Sequence, residues 1–213
     1  MTDSSISASG PLNPYASPSA NTPLAEDPGP ELQVKELAAF VGPNKAAYYL
    51  KQWQPLLAGT SQTTKVNWVA FFFAGFWMAY RKMYLHAAVL YGVLILIGVA
   101  EFIIFDLGTG RPMPTFADRA VGIGVAAVCG IYANRWYLKH AQRRIAEVHA
   151  QVPEEARMQE IARRGGTNVI LSIGFNVLAL LLLAMAFAVL GVILGIVAPE
   201  AIQGLDVEVP ADF

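Results

Sequence analysis

Cysteine occurs once in the 213-residue chain, at Cys129 inside an apolar run, which rules out an intrachain disulfide and a cluster of thiolates around a metal. A small buried side chain is the reading it invites. Histidine is nearly as scarce, and His86, His140 and His149 stand at no metal-ligand spacing with one another or with carboxylates. There is no HExxH, no glycine-rich phosphate loop and no G-x-S-x-G. These absences predict a protein with no catalysis of its own and no cofactor. Charge is sparse too, at 15% of residues, and balanced at 15 basic against 16 acidic side chains with a pI near 6.3. Such a balance leaves no electrostatic footprint for a nucleic-acid partner. No basic start runs straight into an apolar core and cleavage site, so no removable signal peptide is expected.

What the chain has instead is apolar surface: 55% hydrophobic residues and a mean hydropathy of +0.44. Soluble domains usually carry about 25% charged residues. The composition predicts an all-α integral membrane protein, and the pattern divides it. Residues 1–30 hold six of the 13 prolines among Ser, Ala and Asn, too little apolar surface to offset the entropy of ordering, so a disordered tail is expected. Within it, Asn13 to Pro18 offers a short recognition peptide or simply flexible chain. Residues 31–65 read as cytoplasmic amphipathic helices: a short one over 32–41, then one over 44–57, where Ala46, Tyr49, Leu50, Trp53, Leu56 and Leu57 recur at helical spacing after Gly42-Pro43. That face suits either the lipid interface or the rest of the protein.

Residues 66–133 hold an aromatic helix and two membrane spans. Val66 to Tyr80 is almost wholly apolar, but its ~15 residues reach only about 22 Å, short of a ~30 Å hydrocarbon core. It is expected to lie at the interface or re-enter; a crossing would move the N-terminal region outside. Arg81 and Lys82 then interrupt, and Met83 to Phe105 forms the first span. Ala117 to Ala133 forms the second, residues 134–166 are a basic helical segment, 167–198 the third span with Thr167 available as a cap, and 199–213 an acidic tail. The third is long enough that it must tilt or protrude. Seven basic residues in 134–166, from Arg135 to Arg164, place that segment on the cytoplasmic side and the C-terminus outside. Arg81 and Lys82 agree with that orientation.

Eight aromatics fall between Trp68 and Tyr84. Phe40-Val41-Gly42, Tyr48-Tyr49-Leu50 with Trp53, Asn67 to Phe73, Phe76-Trp77 and Tyr80-Arg81-Lys82-Met83-Tyr84, with Asn134 and Tyr137 beyond, resemble the bacterial membrane-protein family catalogued as domain of unknown function 2628. The similarity covers roughly residues 40–145. It implies a small bacterial inner-membrane protein and carries no activity onto any residue.

Three sets of residues are candidates for function. Trp68, Trp77, Tyr80, Arg81 and Lys82 combine headgroup-loving rings with cations, which suits contact with lipid headgroups or a plain aromatic belt. Glu101, near the end of the first span, and Asn168, Ser172 and Asn176, on one face of the third, are the intramembrane polar groups. The three-residue stripe is of the kind that hydrogen-bonds neighbouring helices, and Glu101 lies close to the outer interface, within reach of water or Arg111. Leu138, Ala141, Ile145 and Val148 form an apolar stripe backed by Arg135, Lys139 and Arg143, suited to docking a partner or to a solvated charge face, and Pro153 starts a second short helix that makes the region a hairpin. Small residues at four-residue spacing, Ala88 and Gly92, Gly122, Ala126 and Gly130, Gly191 and Gly195, predict close helix approach within the chain or between copies. The expected role is a membrane scaffold or accessory subunit whose partners are the bilayer and a membrane protein or a second copy. The alternative is a small transporter or channel component using Glu101 and the Asn168, Ser172, Asn176 face.

Overall fold

In the computed structural model the described residues are 29–62 and 64–197, side chains excepted at Leu190 and 193–197. The expected tails and the Asn13 to Pro18 peptide lie essentially outside them. Among the described residues the chain is all helical, and three helices are long and apolar enough to cross a membrane.

Helix α1 (Pro30–Val41) begins with the expected proline advantage at its first position, where a missing N–H costs nothing. It ends at Gly42, whose φ of 91° would strain any side chain. Helix α2 (Ala46–Leu57) turns Tyr49 and Trp53 inward. Helix α3 (Trp68–Tyr80) is capped by Asn67, whose Oδ1 accepts from the Ala70 N–H at 3.1 Å, and is kinked at Phe73. Lys82, a non-glycine residue at φ 59°, reverses the chain into α4 (Tyr84–Glu101), which continues as a π-helical turn over Phe102–Leu107. Helix α5 (Thr115–Gln151) follows, then α6 (Glu154–Arg164) and α7 (Val169–Val197).

Helix α5 joins what composition separates. The second span and the basic segment are one unbroken helix of 37 residues, about 55 Å long at the helical rise. The change from apolar to charged at residue 134 marks a change of surroundings and no break in the helix. At the start of α7 the cap is Asn168, whose Oδ1 accepts from Leu171 N–H at 2.8 Å, in place of Thr167.

The core lies at the basic end of the molecule. The Tyr137 ring sits 5.0 Å from Tyr49, 5.3 Å from Trp53, 6.0 Å from Trp77 and 6.2 Å from Phe40, tying α1, α2, α3 and α5 together. By contrast, the apolar windows of the three long helices are only 0%, 17% and 6% buried within the chain. Each of the three has the length and composition to cross a membrane, and little of its apolar surface is covered within the chain. The small-residue stripes follow this division. A Cβ on Gly130 would meet Phe71 Cβ at 3.0 Å, whereas Gly92, Gly122 and Gly191 face open space.

Helix α3 lies across α5, α7 and the start of α4. The Asn67 N–H, just before it, donates to Gly130 of α5 at 2.8 Å, and Arg81, just after it, meets Tyr137 seven residues further along α5. On its other side the Phe76 carbonyl accepts from Ser172 Oγ and the Tyr80 carbonyl from Asn168 N–H, so the second half of α3 runs antiparallel to the start of α7. Its Trp68, Val69, Phe72 and Phe73 are exposed.

Candidate functional site

Two buried amides organise the basic end. Asn67 Nδ2 donates to Asn134 Oδ1 at 3.0 Å, and Asn134 Nδ2 donates to Thr64 Oγ1 at 3.1 Å and to the Lys65 carbonyl at 3.2 Å. The Asn134 carbonyl accepts from Trp53 Nε1 at 2.8 Å. Helix α2, the loop before α3 and the middle of α5 are thereby fixed to one point. On the opposite side of α3, Lys82 Nζ donates to the Arg163 carbonyl at 3.0 Å and to the Gly165 carbonyl, latching the α3–α4 corner to the link between α6 and α7. Burial, and then the Arg163 charge, lower the Lys82 pKa. Phe40 reaches the same link, where its carbonyl accepts from Gly166 N–H at 2.7 Å.

Arg81 is the outstanding charge of this region, being only 5% exposed. Its guanidinium carbon lies 4.6 Å from the centre of the Tyr49 ring, 5.2 Å from Tyr137 and 5.6 Å from Tyr80. The Tyr137 hydroxyl is close enough to feel the charge and the hydrogen-bonding groups of Arg81, while the buried Nε and Nη1 have no partner of full hydrogen-bond geometry among the described residues. No carboxylate pairs with Arg81 among the described residues. The side chain lines a cavity of about 440 Å³ between the start of α2 and the end of α3.

A second space opens between α4 and α5, which splay apart. It is an apolar groove of about 680 Å³, lined by Leu85, Val89 and Val93 from α4 and by Val121, Val125 and Cys129 from α5, with His86 at one end. A smaller cavity of about 310 Å³ shares Leu85 and His86 with it and is lined by Lys139, His140, Arg143 and Arg144. Arg143 and Arg144 both pair with Glu147, at 3.3 and 2.8 Å, so a single carboxylate serves two guanidiniums, and Lys139 has no acidic partner among the described residues. The His86 ring stands 5.9 Å from that of His140, and its buried Nδ1 makes no hydrogen bond.

The headgroup-facing set divides. Trp68 is 63% exposed and Tyr80 is half-buried, but Trp77 and Arg81 are buried within the aromatic core and Lys82 is spent on backbone carbonyls. Lipid and protein interior are both apolar, so an aromatic run with a basic end reads alike for either. The stripe Leu138, Ala141, Ile145 and Val148 is also buried, because α1, α2 and α6 of the same chain pack on this part of α5. The stripe is thus covered within the chain itself.

The polar face of α7 packs as a hydrogen-bonding stripe. Ser172 Oγ donates to the Phe76 carbonyl at 3.1 Å, Asn176 Oδ1 accepts from the Tyr91 hydroxyl and Asn168 serves as the cap. Glu101 is half-buried and pairs with no basic residue among those described, Arg111 included. No group of three or more His, Cys, Asp or Glu gathers at metal-binding distance among the described residues. Sequence reasoning missed the Asn67–Asn134 pair, although both residues stand in the motif that carried the resemblance. It also missed Glu36, 3% exposed, which meets His149 Nε2 at 2.6 Å across 113 residues of chain.

No curated protein and no solved structure matches this chain. A family described as "Protein of unknown function (DUF2628)" matches residues 33–143, slightly more than half of it. The matched stretch carries α1 to α4 and most of α5, and with them Asn67, Arg81, Asn134 and the α4–α5 groove; α6 and α7 follow it. The chain belongs to the DUF2628 family of proteins of unknown function.

Proposed function

We propose that this protein is a non-catalytic scaffold or accessory subunit of the bacterial inner membrane and that it holds an anionic phospholipid between α4 and α5. In this reading residues 134–166 lie on the cytoplasmic side and the C-terminus outside, as the excess of lysine and arginine in that segment favours. The observation that carries the reading is continuity: an apolar groove on the lipid-facing side runs into a cationic cavity through Leu85 and His86. An acyl chain gains little by leaving bilayer for groove, since both are apolar. Selection therefore falls to the headgroup, where each lysine or arginine near the surface contributes about 1 kcal/mol toward an anionic lipid. With Glu147 offsetting one of Lys139, Arg143 and Arg144, the surplus corresponds to a preference of roughly 30-fold over a zwitterionic lipid.

The transport alternative gains no such support. Ser172 and Asn176 are engaged by Phe76 and Tyr91, and Glu101 lies about 15 Å along α4 from Tyr91 at the helical rise. The test is purification of the tagged full-length protein from its host in mild detergent, followed by mass spectrometry of what it retains. Enrichment of anionic phospholipid over the bulk membrane, lost in the Lys139→Ala, Arg143→Ala, Arg144→Ala variant, supports the lipid part. Retained lipid with the composition of the bulk membrane refutes it. A stoichiometric protein partner supports the accessory role, and a partner-free chain counts against it.

A further inference from the structure

A buried guanidinium without a counter-ion costs several kcal/mol of desolvation. Tyrosine faces recover part of that, since a desolvated cation–π contact contributes about 2 kcal/mol, but Nε and Nη1 of Arg81 remain without a partner among the described residues. The cavity it lines supplies the rest of an anion site. Lys45 stands exposed at its mouth, at the N-terminal end of α2, and the first turn of a helix offers orphan amides and positive potential. Tyr48 also lines the space. No acidic residue lines the cavity. Val69 and Phe76, both exposed apolar residues, form a wall that continues onto the lipid-facing side of α3.

From this convergence we propose that the cavity between the start of α2 and the end of α3 binds a phosphate group, with Arg81 at its floor and Lys45 at its mouth. The phosphate is carried by a phospholipid headgroup or is free in solution; both present the same oxyanion to the same donors. The site is separate from the α4–α5 groove and does not depend on it, since the cationic side chains of that groove are Lys139, Arg143 and Arg144 together with the latched Lys82.

The experiment is thermal unfolding of the full-length protein in a phosphorus-free maltoside detergent. Inorganic phosphate is titrated at constant ionic strength against chloride, and phosphatidylcholine is titrated separately into the micelles. A saturable rise in Tm with phosphate identifies a free-phosphate site, and a rise with phosphatidylcholine alone identifies a headgroup site. Lys45→Ala, at an exposed position, folds as wild type and raises the half-saturating concentration about fivefold, the worth of one exposed cation. Arg81→Met abolishes the ligand-dependent rise, while its Tm without ligand is not lower than that of wild type, because the uncompensated charge is gone. Absence of a shift with either ligand overturns the proposal, as does a Lys45→Ala titration that superimposes on wild type. Those two comparisons decide the question even if Arg81→Met fails to fold.

Discussion

Truncating Asn134 to alanine tests whether one amide holds three segments together. The substitution removes hydrogen bonds at 3.0, 3.1 and 3.2 Å to Asn67, Thr64 and Lys65. A net value of about 1 kcal/mol applies to each. Thr64 and Lys65 belong to a loop and can turn to water, but Asn67 is 4% exposed and its Nδ2 would be stranded, adding about 1 kcal/mol. The expected loss is about 4 kcal/mol. Asn67→Ala removes the same inter-amide bond and also the cap on α3, for a loss of about 2 kcal/mol. Because neither amide is left stranded when both are gone, the double variant should cost less than the two singles together by about 1 kcal/mol or more. The assay is unfolding by titration with a denaturing detergent in mixed micelles, followed by tryptophan fluorescence. The Trp53 indole bond to the Asn134 backbone survives all three substitutions, so its signal reports the transition itself. Strict additivity, or a loss below about 0.5 kcal/mol for Asn134→Ala, would refute the reasoning.

Two further perturbations probe the same fold. A Cβ on Gly165 would run into the Phe40 carbonyl, with its carbon at 2.7 Å, so Gly165→Ala must displace backbone and should cost about 3 kcal/mol. Gly92→Ala and Gly122→Ala meet open space and should leave Tm unchanged or raised in the same unfolding assay. On α6, hydrogen bonds from Arg163 and Arg164 hold the Glu160 carboxyl at about 2, below its ordinary 4.5. A depressed folded-state pKa contributes stability above the unfolded value that disappears as pH falls through the folded one. The difference between wild type and Glu160→Gln should therefore be constant above pH 4.5 and fade between there and about 2; a difference that varies instead between pH 6 and 8 would assign the effect to another group.

The three long apolar helices, the short aromatic one and the break at Arg81-Lys82 could all be read from hydropathy and length, because those properties are local. The apolar stripe from Leu138 to Val148 and the hairpin helix after Pro153 could also be read, but the rest of the stripe's cover could not. The hairpin partner α6 was within reach because it follows α5 directly, but α1 and α2 come from about a hundred residues earlier, and a stripe says only that something lies on it. Arg81 shows the same limit more sharply. At a membrane boundary an arginine is expected to reach for headgroups, and only three-dimensional packing places the Tyr49 and Tyr137 rings around it. The continuity of α5 was hidden for a different reason. Helix geometry is set by the backbone, and nothing in Asn134-Arg135-Trp136 breaks it, so the shift from apolar to basic carries no helix end with it.

That continuity gives the molecule a rigid lever. Helix α5 has no joint between its apolar half, which walls the groove, and its basic half, on which α1 and α6 rest. The close approach of Gly130 to Phe71 and Val66, with the anchored Asn134 one turn on, lies where the two halves meet and acts as a fulcrum. Val148 is about 27 Å beyond Gly130 at the helical rise, so a tilt of roughly 5° there would carry it through about 2 Å. Spreading or closing the groove thus has a mechanical counterpart at the opposite end of the helix, in the seat of α1 and α6.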